Sequence, residues 1–560
     1  MTIVPQWEFA SQDRETIALL AESSNLSWLA AHLLHCRGVT TPSEMEAFLN
    51  PCGGALTDPF ALSDMHQAVE RITRARDHAE KVLVYGDYDA DGVTSTALLV
   101  RALRRFGLRD CSWYVPNRIR DGYGLNPAAI EGAKRDGIAL IITVDNGITA
   151  NEAADEAQRL GVDLIVTDHH ALGPELPKAC AVINPKRDDP SSPFRDACGA
   201  AVAFKLAVAL TNEIRDLSLV ALATVADLVP LQGENRTLVA RGLAEMAGDS
   251  LPGLEALARS AKLKPGEIIA ESIAFQISPR LNAPGRLGDA QASVNLLLSS
   301  SIEEAESLAK ELEAINVRRR EIDAAIFEDT KESFQRQLEE GRRSIVLANR
   351  DWNPGVIGIV ASKIHGRCGL PVVLIAIDDE GIGRGSARSA YGFNLVEALS
   401  GCASYLEKFG GHENAAGMTI LEGNVDSFSE AFEAEAKRWF SAEEPSHTIE
   451  IDAPLAFTEI DGNLLRTIDR LEPFGQANPS PVFSTHGVRI VPDSYRELRG
   501  GHVRCTVTHD GEEFTAIGFG MVEQFSELAL DAPFDIAYTP RFNTWRGETT
   551  IQLGLKDVRP

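Results

Sequence analysis

The sequence predicts an α/β protein that consists of a parallel-sheet lobe, a long connecting helix, a second α/β lobe and a C-terminal β-barrel. Three observations lead to this prediction. Short apolar runs alternate with amphipathic stretches from about residue 80 to 230, a charged helical pattern covers residues 302–340, and short strand-like runs follow Pro445. Alternating strands and helices are typical of a parallel sheet covered on both faces, and successive short strands are typical of a barrel or sandwich.

The first lobe is predicted from short runs that are rich in β-branched residues and that end in polar residues or glycine. The predicted strands are Val82–Tyr85, Ser112–Val115, Leu140–Val144, Leu164–Thr167 and Ala181–Ile183. The predicted helices between them are Thr94–Phe106, Pro127–Asp136 and Asn151–Leu160. Ligands of such sheets bind at the carboxyl ends of the strands, so the residues after each run are the candidates for a site.

Residues 302–340 predict one connecting helix, because apolar residues from Ala305 to Ile326 recur mostly at three- and four-residue steps. A self-pairing coiled coil is the weaker alternative, since Arg319 interrupts the apolar stripe. Ser344–Ala348 and Val372–Ile377 then predict strands of the second lobe.

The barrel is predicted from the runs after residue 445. Its predicted strands are His447–Ile451, Val488–Val491, His502–Thr508, Glu513–Phe519, Phe534–Thr539 and Thr549–Leu555. We expect residues 1–60 to form an N-terminal segment that packs on the first lobe. We assign 61–300 to the first lobe, 301–340 to the connecting helix, 341–443 to the second lobe and 444–560 to the barrel.

Composition limits the classes of function. The chain has 560 residues, of which 44% are hydrophobic and 24% are charged, as is ordinary for a globular protein of several domains. No apolar run reaches the ~18 residues of a membrane span, the first residues lack the pattern of a signal peptide, and the eight cysteines include no C-x-x-C pair. We therefore expect a cytoplasmic protein. The net charge of −27 argues against surface-wide binding to nucleic acid but is compatible with a local basic groove.

The stretch VYGDYDADG at residues 84–92 carries the strongest chemical signal. Asp87, Asp89 and Asp91 occupy alternate positions after an apolar run. If the strand continued through them, their charges would crowd on one side, which is costly unless a cation neutralises them. Carboxylates suit hard divalent metals such as Mg²⁺ and Mn²⁺. The stretch therefore predicts a metal site.

Further polar signatures follow the other runs: Asp145 before Asn-Gly, Asp168 with His169 and His170, and Asp227 in an apolar segment. For any one aspartate alone, a helix N-cap or a turn is the plainer interpretation, and the two histidines alone could be solvated loop residues. Together, carboxylates and an imidazole at one sheet edge can hold two divalent cations, which activate a water and stabilise a phosphoryl displacement. The second histidine could donate a hydrogen bond to the developing charge or protonate the leaving oxygen.

These motifs, in this order, resemble those of the DHH phosphoesterase superfamily: Asp-x-Asp-x-Asp, Asp-Asn-Gly, Asp-His-His and a late Ala-Asp. Supporting stretches are Pro116–Arg118, Gly122–Asn126, Ile183–Pro185, Cys198–Ala200, Pro279–Ala283, Gly285-Arg286, Ser386–Arg388 and Gly410–Gly417. Within the superfamily, the chain resembles the single-strand-specific 5′→3′ DNA exonucleases. The resemblance implies that the first lobe is a DHH domain, the second a DHH-associated domain and the barrel an oligonucleotide-binding (OB) fold.

The resemblance also implies roles for individual residues. Asp145 would bridge two metal ions, Asp87 would be a near ligand or would support the ligands, and His170 would assist the scissile phosphate. Tyr85 stands where related phosphatases often have a histidine, which leaves the coordination of the first ion open. The two ions would be Mn²⁺ or Mg²⁺, which the ligand types do not separate. The implied metal ligands are Asp89, Asp91, Asp145, His169 and Asp227.

An enzyme that acts at the end of a strand must also hold phosphate, for which the planar fork of arginine is suited. Residues 381–389 read GIGRGSARS, which lets the backbone approach a ligand closely. For each arginine alone, a surface or salt-bridge role is the plainer alternative, and Gly411 with His412 could form an ordinary turn. The candidate substrate-binding residues are Arg118, Arg280, Asn282, Arg286, Arg384, Ser386, Arg388, Gly411, His412 and Trp545.

Trp545 is the best candidate in the barrel, because residues 543–547 are predicted to form a loop. A stacking platform for bases would combine it with Phe519, Phe542, Arg541 and Arg546. That the aromatic residues fill the barrel core is an equal alternative.

We therefore expect a metal-dependent 5′→3′ exonuclease that hydrolyses single-stranded DNA to mononucleotides in DNA repair and recombination. A helicase and a single-strand-binding protein are candidate partners, and no membrane association is expected. The resemblance implies a groove between the lobes that is too narrow for a duplex. The alternatives are a phosphodiesterase of short oligonucleotides or cyclic dinucleotides, which the barrel and the chain length disfavour, and a non-catalytic scaffold, which the complete ligand set disfavours.

Overall fold

The computed structural model describes residues 5–24, 26–118, 120–122, 124–248, 250–389, 392–441, 448–545 and 548–560, with the backbone alone of Ser24, Pro265 and Trp545. These residues form two compact units. One contains residues 55–441, and the other combines residues 5–54 with the region from 448 to 560. None of the described helices has both the length and the apolar character that a membrane crossing requires.

The N-terminal segment packs with the C-terminal region, and the expectation that residues 1–60 pack on the first lobe is wrong for residues 5–54. Leu20, Leu33 and Met45 share an apolar core with Phe483 and Leu553. An apolar helix face in a sequence indicates burial but does not identify the element that covers it. The segment contains β1 (Gln6–Phe9), α1 (Arg14–Ser24), α2 (Trp28–His35) and α3 (Pro42–Leu49).

The first lobe is built on a five-stranded parallel sheet with the strand order β3-β2-β4-β5-β6. All five predicted strands are present, and their ends lie within one residue of the prediction. Val84, Ile142 and Ile165 are fully buried, as expected of a parallel sheet with both faces covered. The strands are β2 (Val82–Tyr85), β3 (Cys111–Tyr114), β4 (Leu140–Val144), β5 (Asp163–Thr167) and β6 (Ala181–Ile183).

The helices of the first lobe include every helix predicted there. A π-helix over Ile273–Ile277 lies between the α-helices Ala270–Ser272 and Ser278–Leu287. The α-helices are α4 (Met65–Asp77), α5 (Ala90–Arg105), α6 (Pro127–Arg135), α7 (Asn151–Leu160), α8 (Gly199–Thr211), α9 (Leu217–Ala226), α10 (Gly233–Gly248), α11 (Pro252–Ser260), α12 (Ala270–Ser272), α13 (Ser278–Leu287) and α14 (Gln291–Leu298).

The predicted connecting helix is confirmed as α15 (Ile302–Glu339), a single helix of 38 residues. The side chain of Ser301 caps it by accepting a hydrogen bond from the backbone N–H of Glu304 (3.1 Å). Ala305 and Leu312 are buried in the core of the first lobe, whereas Ile326 is buried in a core of the second lobe. The helix therefore contributes to the packing of both lobes.

The second lobe contains a mixed five-stranded sheet in the order β10-β11-β9-β8-β7. β7 and β8 are parallel, and the other neighbours are antiparallel. The strands are β7 (Ile345–Asn349), β8 (Val372–Ile377), β9 (Ile382–Arg388), β10 (Leu406–Gly411) and β11 (Ala415–Leu421). The helices are α16 (Ile357–Cys368), α17 (Leu395–Gly401) and α18 (Val425–Phe440).

The C-terminal region forms a barrel, as predicted. Its strands have the order β13-β14-β18-β19-β17-β16-β15, and a further pairing of β14 with β16 closes the ring. β12 pairs in parallel with β1. The strands are β12 (Thr448–Ile451), β13 (Ala453–Pro454), β14 (Phe483–Ile490), β15 (Arg496–Leu498), β16 (His502–His509), β17 (Glu512–Gly518), β18 (Phe534–Trp545) and β19 (Glu548–Arg559), and the helices are α19 (Gly462–Asp469) and α20 (Val522–Ser526).

The predicted loop over residues 543–547 is wrong for residues 543–545, which belong to β18. Asn543 lies opposite Thr550 and Trp545 opposite Glu548 in the antiparallel pair with β19. A long hairpin keeps its ladder almost to the tip, so polar residues near the turn do not mark a loop. The side chain of Trp545 and all of residues 546–547 lie outside the described residues, and so does this part of the predicted stacking platform.

Candidate metal centre and phosphate pocket

Asp87, Asp89 and Asp91 do not lie along one face of a strand. β2 ends at Tyr85, and Asp89 is the N-cap of α5, where it accepts a hydrogen bond from the backbone N–H of Gly92 (3.0 Å). Asp91 lies in the first turn of the same helix. Carboxylates are favoured at this position because they cap helix N–H groups and face the positive end of the helix dipole. The aspartates therefore gather at the start of a helix, directly after the strand.

Asp91 is held in place by the start of α8. Its carboxylate oxygens accept hydrogen bonds from the backbone N–H groups of Gly199 (2.7 Å) and Ala200 (2.8 Å). A Cβ atom on residue 199 would lie only 2.6 Å from the Cβ atom of Asp145, so glycine is required for this close approach. From the sequence, residues 198–200 supported only the family resemblance, without a role at the site. The signal available in the sequence was the run Gly-Ala-Ala at residues 199–201, whose small side chains leave room for a close neighbour.

Asp168 fixes the two histidines that follow it. Its Oδ1 atom accepts hydrogen bonds from the backbone N–H groups of His169 (2.7 Å) and His170 (3.1 Å) and lies 2.7 Å from Nδ1 of His170. Its Oδ2 atom accepts a hydrogen bond from the backbone N–H of Ile148 (2.9 Å). Asp168 therefore orders the turn after β5 and orients the ring of His170.

The five residues proposed as metal ligands meet at the carboxyl ends of the strands. Nε2 of His169 lies 3.1 Å from Oδ1 of Asp145 and 3.7 Å from a carboxylate oxygen of both Asp91 and Asp227. The donor atoms within each of three sets of residues lie within 4.8 Å of one another. Asp145 and His169 each belong to two of these sets. The sets are Asp91 with His169 and Asp227, Asp87 with Asp89 and Asp145, and Asp145 with His169 and His170.

The charge state of this cluster fits divalent cations. Burial, and then repulsion from neighbouring aspartates, raises the pKa of Asp91 to about 6 and that of Asp227 to about 8. The same causes raise the pKa values of Asp87 and Asp145 well above their usual range. Within the described residues, the Oδ1 atoms of Asp87 and Asp145 are buried and accept no hydrogen bond. Hard cations neutralise such a group of carboxylates and use these oxygens as ligands.

The two histidines differ in their protonation. Burial, and then the neighbouring His170, lowers the pKa of His169 to about 3, so His169 is neutral and suited to bind a metal. Burial also opposes the protonation of His170, but the hydrogen bond and charge of Asp168 outweigh it and raise the pKa of His170 to about 9. His170 is therefore a cation near neutral pH and suited to donate to a phosphate oxygen.

A cavity of about 230 Å³ adjoins this cluster, and we call it the arginine pocket. A second cavity, of about 480 Å³, shares four of its wall residues. The arginine pocket is lined by Asp87, Tyr88, Asp89, Arg118, Asn282, Gly285, Arg286, Gly355, Gly358, Ser386 and Arg388. The second cavity is lined by Tyr88, Arg118, Pro354, Ile357, Arg384, Gly385, Ser386, Arg388, Gly411, His412 and Ala415–Gly417. Eight of the ten candidate substrate-binding residues therefore line one or both cavities.

Glycines allow close packing around the arginine pocket, within each lobe and, at Gly355, between the lobes. A Cβ atom on Gly285 would lie 2.2 Å from the carbonyl oxygen of Tyr88, and one on Gly355 would lie 1.9 Å from that of Arg286. A Cβ atom on Gly358 would lie 2.9 Å from the guanidinium of Arg388. No other residue fits these positions without displacing a neighbour. Sequence reasoning gave these three glycines no role, because each depends on a partner far away in the chain.

The guanidinium groups of the arginine pocket repel one another. Burial, and then repulsion from Arg118 and two further arginines, lowers the pKa of Arg286 to about 10. Burial, and then Arg118, lowers the pKa of Arg388. Among the described residues, Arg118, Arg286 and Arg388 form no ion pair with a carboxylate, and Arg388 donates instead to Oγ of Ser386 (3.0 Å). An anion would relieve this repulsion, and phosphate matches the donors present.

Two residues considered from the sequence lie away from both sites. Tyr85 is buried and donates its hydroxyl hydrogen to the carbonyl oxygen of Gly124 (3.2 Å), so it is not placed as a ligand. Arg280 lines neither cavity; its Nε atom lies 2.6 Å from a carboxylate oxygen of Glu313, and Nη1 donates to the carbonyl oxygen of Gln276. Arg280 faces the long helix α15, and the periodicity of α13 directs it away from Asn282.

Three family models match the chain: the DHH family N-terminal domain over residues 81–229, the DHHA1 domain over 342–438 and the RecJ OB domain over 451–557. The chain is 37% identical to the single-stranded-DNA-specific exonuclease RecJ of Bacillus subtilis over 99% of this chain and 70% of that one. It is 34% identical to the Escherichia coli protein of the same name over 98% of both chains. Among solved structures, RecJ of Thermus thermophilus in complex with Mn²⁺ is similar, with a TM-score of 0.85 and 30% identity over 99% of this chain and 79% of that one.

The stabilising effect of Mn²⁺ should increase with pH. Because Asp91 and Asp227 have raised pKa values, these two carboxyl groups bind more protons in the metal-free folded chain than in the unfolded chain above pH 4, and their contribution to stability falls as pH rises toward 8. Bound metal keeps these groups ionised and removes that loss. Thermal melts from pH 5 to 8 should show a growing difference in melting temperature between samples with Mn²⁺ and with chelator. A difference that is constant or largest at pH 5 would contradict the assignment.

Replacement of Asp145 by asparagine should stabilise the metal-free protein and abolish its response to metal. Asp145→Asn removes one of the repelling charges, keeps the shape of the side chain and suits the left-handed backbone of this residue (φ 62°). We expect a melting temperature a few degrees higher in chelator and little further rise with Mn²⁺. The control is Asp379→Asn, an exposed aspartate of the second lobe. A normal Mn²⁺ response of Asp145→Asn would refute the bridging role.

Proposed function

The chain belongs to the RecJ family of single-stranded-DNA-specific exonucleases, and we propose that it degrades single-stranded DNA from the 5′ end to mononucleotides with the help of two divalent cations, Mn²⁺ or Mg²⁺. The observation that carries the proposal is the arginine pocket beside the metal centre, with Asp87 and Asp89 common to both. A terminal phosphate held by the arginines would place the following phosphodiester bond at the carboxylates. This arrangement favours the removal of one nucleotide at a time.

Two cations held by Asp87, Asp89, Asp91, Asp145, His169 and Asp227 would activate a water molecule and neutralise charge on the phosphodiester. His170 donates from its protonated ring to the phosphate or to the leaving oxygen. Asp168 keeps that ring oriented and charged. These groups are set in place by the fold before substrate binds, which lowers the cost of reaching the transition state.

The proposed DNA path continues from the arginine pocket into the second cavity. Arg384, Gly411 and His412 line this cavity and supply contacts for the backbone of the strand. In the other unit, Phe519 is 63% exposed and Phe542 is 39% exposed, so both offer surface for stacking on bases. We propose roles for the enzyme in DNA repair and recombination in the cytoplasm, with a helicase that supplies the single strand and a single-strand-binding protein as its partners.

The test of this function is digestion of end-labelled DNA. The purified protein with Mn²⁺ should convert a 3′-labelled single strand into progressively shorter products, and a 5′-labelled strand directly into labelled mononucleotide. A blunt duplex should resist, and chelator should stop the reaction. Internal cleavage, degradation from the 3′ end or activity in chelator would each refute the proposal. A dinucleotide that is cleaved faster than a long strand would favour a phosphodiesterase of small substrates.

Arg388→Ala should weaken the capture of substrate without loss of the metal centre. A lost charged hydrogen bond corresponds to roughly a 10- to 100-fold rise in KM. Mn²⁺ binding, measured by calorimetry, should stay close to that of the unaltered protein, because Arg388 contacts no proposed ligand. The matched control is Arg350→Ala, an exposed arginine of the same lobe that pairs with Glu422. An unchanged KM for Arg388→Ala would argue against its role in binding phosphate.

A further inference from the structure

Tyr88 occupies a special position between the metal centre and the arginine pocket. It lies between two proposed ligands in the chain, Asp87 and Asp89. With Arg118, Ser386 and Arg388, it is one of the four residues that line both cavities. Among these four residues, Tyr88 is the one with an uncharged aromatic ring, and such a ring can attract a cation.

Arg118 lies over the ring of Tyr88. The centre of its guanidinium group is 5.3 Å from the ring centroid, within the range of a cation–π interaction. The two other pocket arginines, Arg286 and Arg388, repel Arg118. Among the described residues, no carboxylate forms an ion pair with Arg118 to counter this repulsion. An aromatic ring attracts the guanidinium without neutralising it, so Arg118 keeps its full charge for a phosphate.

The backbone of Tyr88 is fixed on both sides. The carbonyl oxygen of Tyr88 lies so near Gly285 of α13 that a Cβ atom there would approach it to 2.2 Å. The next residue, Asp89, caps α5, and Asn282 of α13 accepts a hydrogen bond from the backbone N–H of Ala90 (2.6 Å). The ring is thus attached to the segment that carries the metal ligands. A guanidinium held by this ring has a fixed position relative to the metal centre.

We propose that Tyr88 is a positioning residue whose ring holds the guanidinium of Arg118 against the terminal phosphate of the DNA strand. The inference rests on the proposed function. It adds that the enzyme prefers strands with a 5′-phosphate and that this preference depends on Tyr88. Tyr88 acts through Arg118 and does not itself contact the reacting atoms. Replacement of the Tyr88 ring should therefore weaken the binding of a phosphorylated DNA end more than it changes any other property of the enzyme.

The experiment compares two single strands that differ only in a 5′-phosphate or a 5′-hydroxyl group. For each enzyme the ratio of kcat/KM for the two substrates measures the preference for phosphate. Tyr88→Leu should reduce this ratio about five- to tenfold, mainly through KM of the phosphorylated strand. Tyr88→Phe, which keeps the ring face, should retain the preference. Arg118→Ala should reduce the ratio at least as far, and the double variant Tyr88→Leu with Arg118→Ala should reduce it no further than Arg118→Ala alone.

Fluorinated phenylalanines at position 88 provide a second test in proteins that keep the shape of the ring. Each added fluorine withdraws negative charge from the ring face and so weakens its attraction for a cation. The preference for the 5′-phosphate should therefore be highest with phenylalanine and fall step by step through the monofluoro, difluoro and trifluoro side chains. A preference that is independent of fluorine content would overturn the proposal, and so would additive effects of Tyr88→Leu and Arg118→Ala. An equal loss of kcat/KM on the strand with a 5′-phosphate and on the strand with a 5′-hydroxyl group would also overturn the proposal. Failure of the proposed function would differ, because the unaltered protein would then lack metal-dependent cleavage of either strand.

Discussion

Mutual repulsion among buried carboxylates is the constraint on which the rest of the structure depends. Four aspartates with raised pKa values surround a neutral His169 at the ends of the parallel strands. The fold counters the repulsion with backbone N–H groups from the starts of helices, as α8 does for Asp91. The remaining excess of negative charge is what a pair of divalent cations would neutralise. The protein therefore holds its ligands in a costly arrangement that is stabilised elsewhere, by the apolar cores of the lobes.

Carboxylates and guanidinium groups face the same pocket without pairing. Asp87 and Asp89 line the arginine pocket together with Arg118 and Arg286, yet the described residues include no ion pair between the two groups. Their backbones are fixed by close packing, because Gly285 abuts Tyr88 and Gly355 abuts Arg286. Direct pairing would consume both sets of charges. Their separation would leave the carboxylates for the proposed cations and the guanidinium groups for the proposed phosphate, a preorganisation that suits phosphoryl transfer.

The sequence predicted those features that depend on local pattern. Short runs rich in β-branched residues located the strands of the first lobe, and a 3.6-residue pattern located α15. Polar residues after β4 and β5 predicted that Asp145 and His169 lie together, because parallel strands bring their ends to one edge. The expectation that Asp227 also follows a strand-like run is wrong, since it ends the helix α9. Features that depend on distant partners were missed. The predicted end of β2 at Tyr85 is confirmed, but the helix that begins beside Asp89 was not expected to carry Asp91. The packing of residues 5–54 and the pairing of Arg280 with Glu313 each depend on an element far away in the chain.

The acidic composition is consistent with an enzyme that engages the end of a strand. A net charge of −27 repels a DNA backbone at long range, but salt screens this repulsion beyond about 8 Å at physiological ionic strength. In the arginine pocket, three guanidinium groups that have no carboxylate partner among the described residues would lie closer than this distance to a phosphate bound there. Under the proposed function, a strand that offers its end would gain the contacts of the pocket and of the cations, and these contacts would outweigh the long-range repulsion.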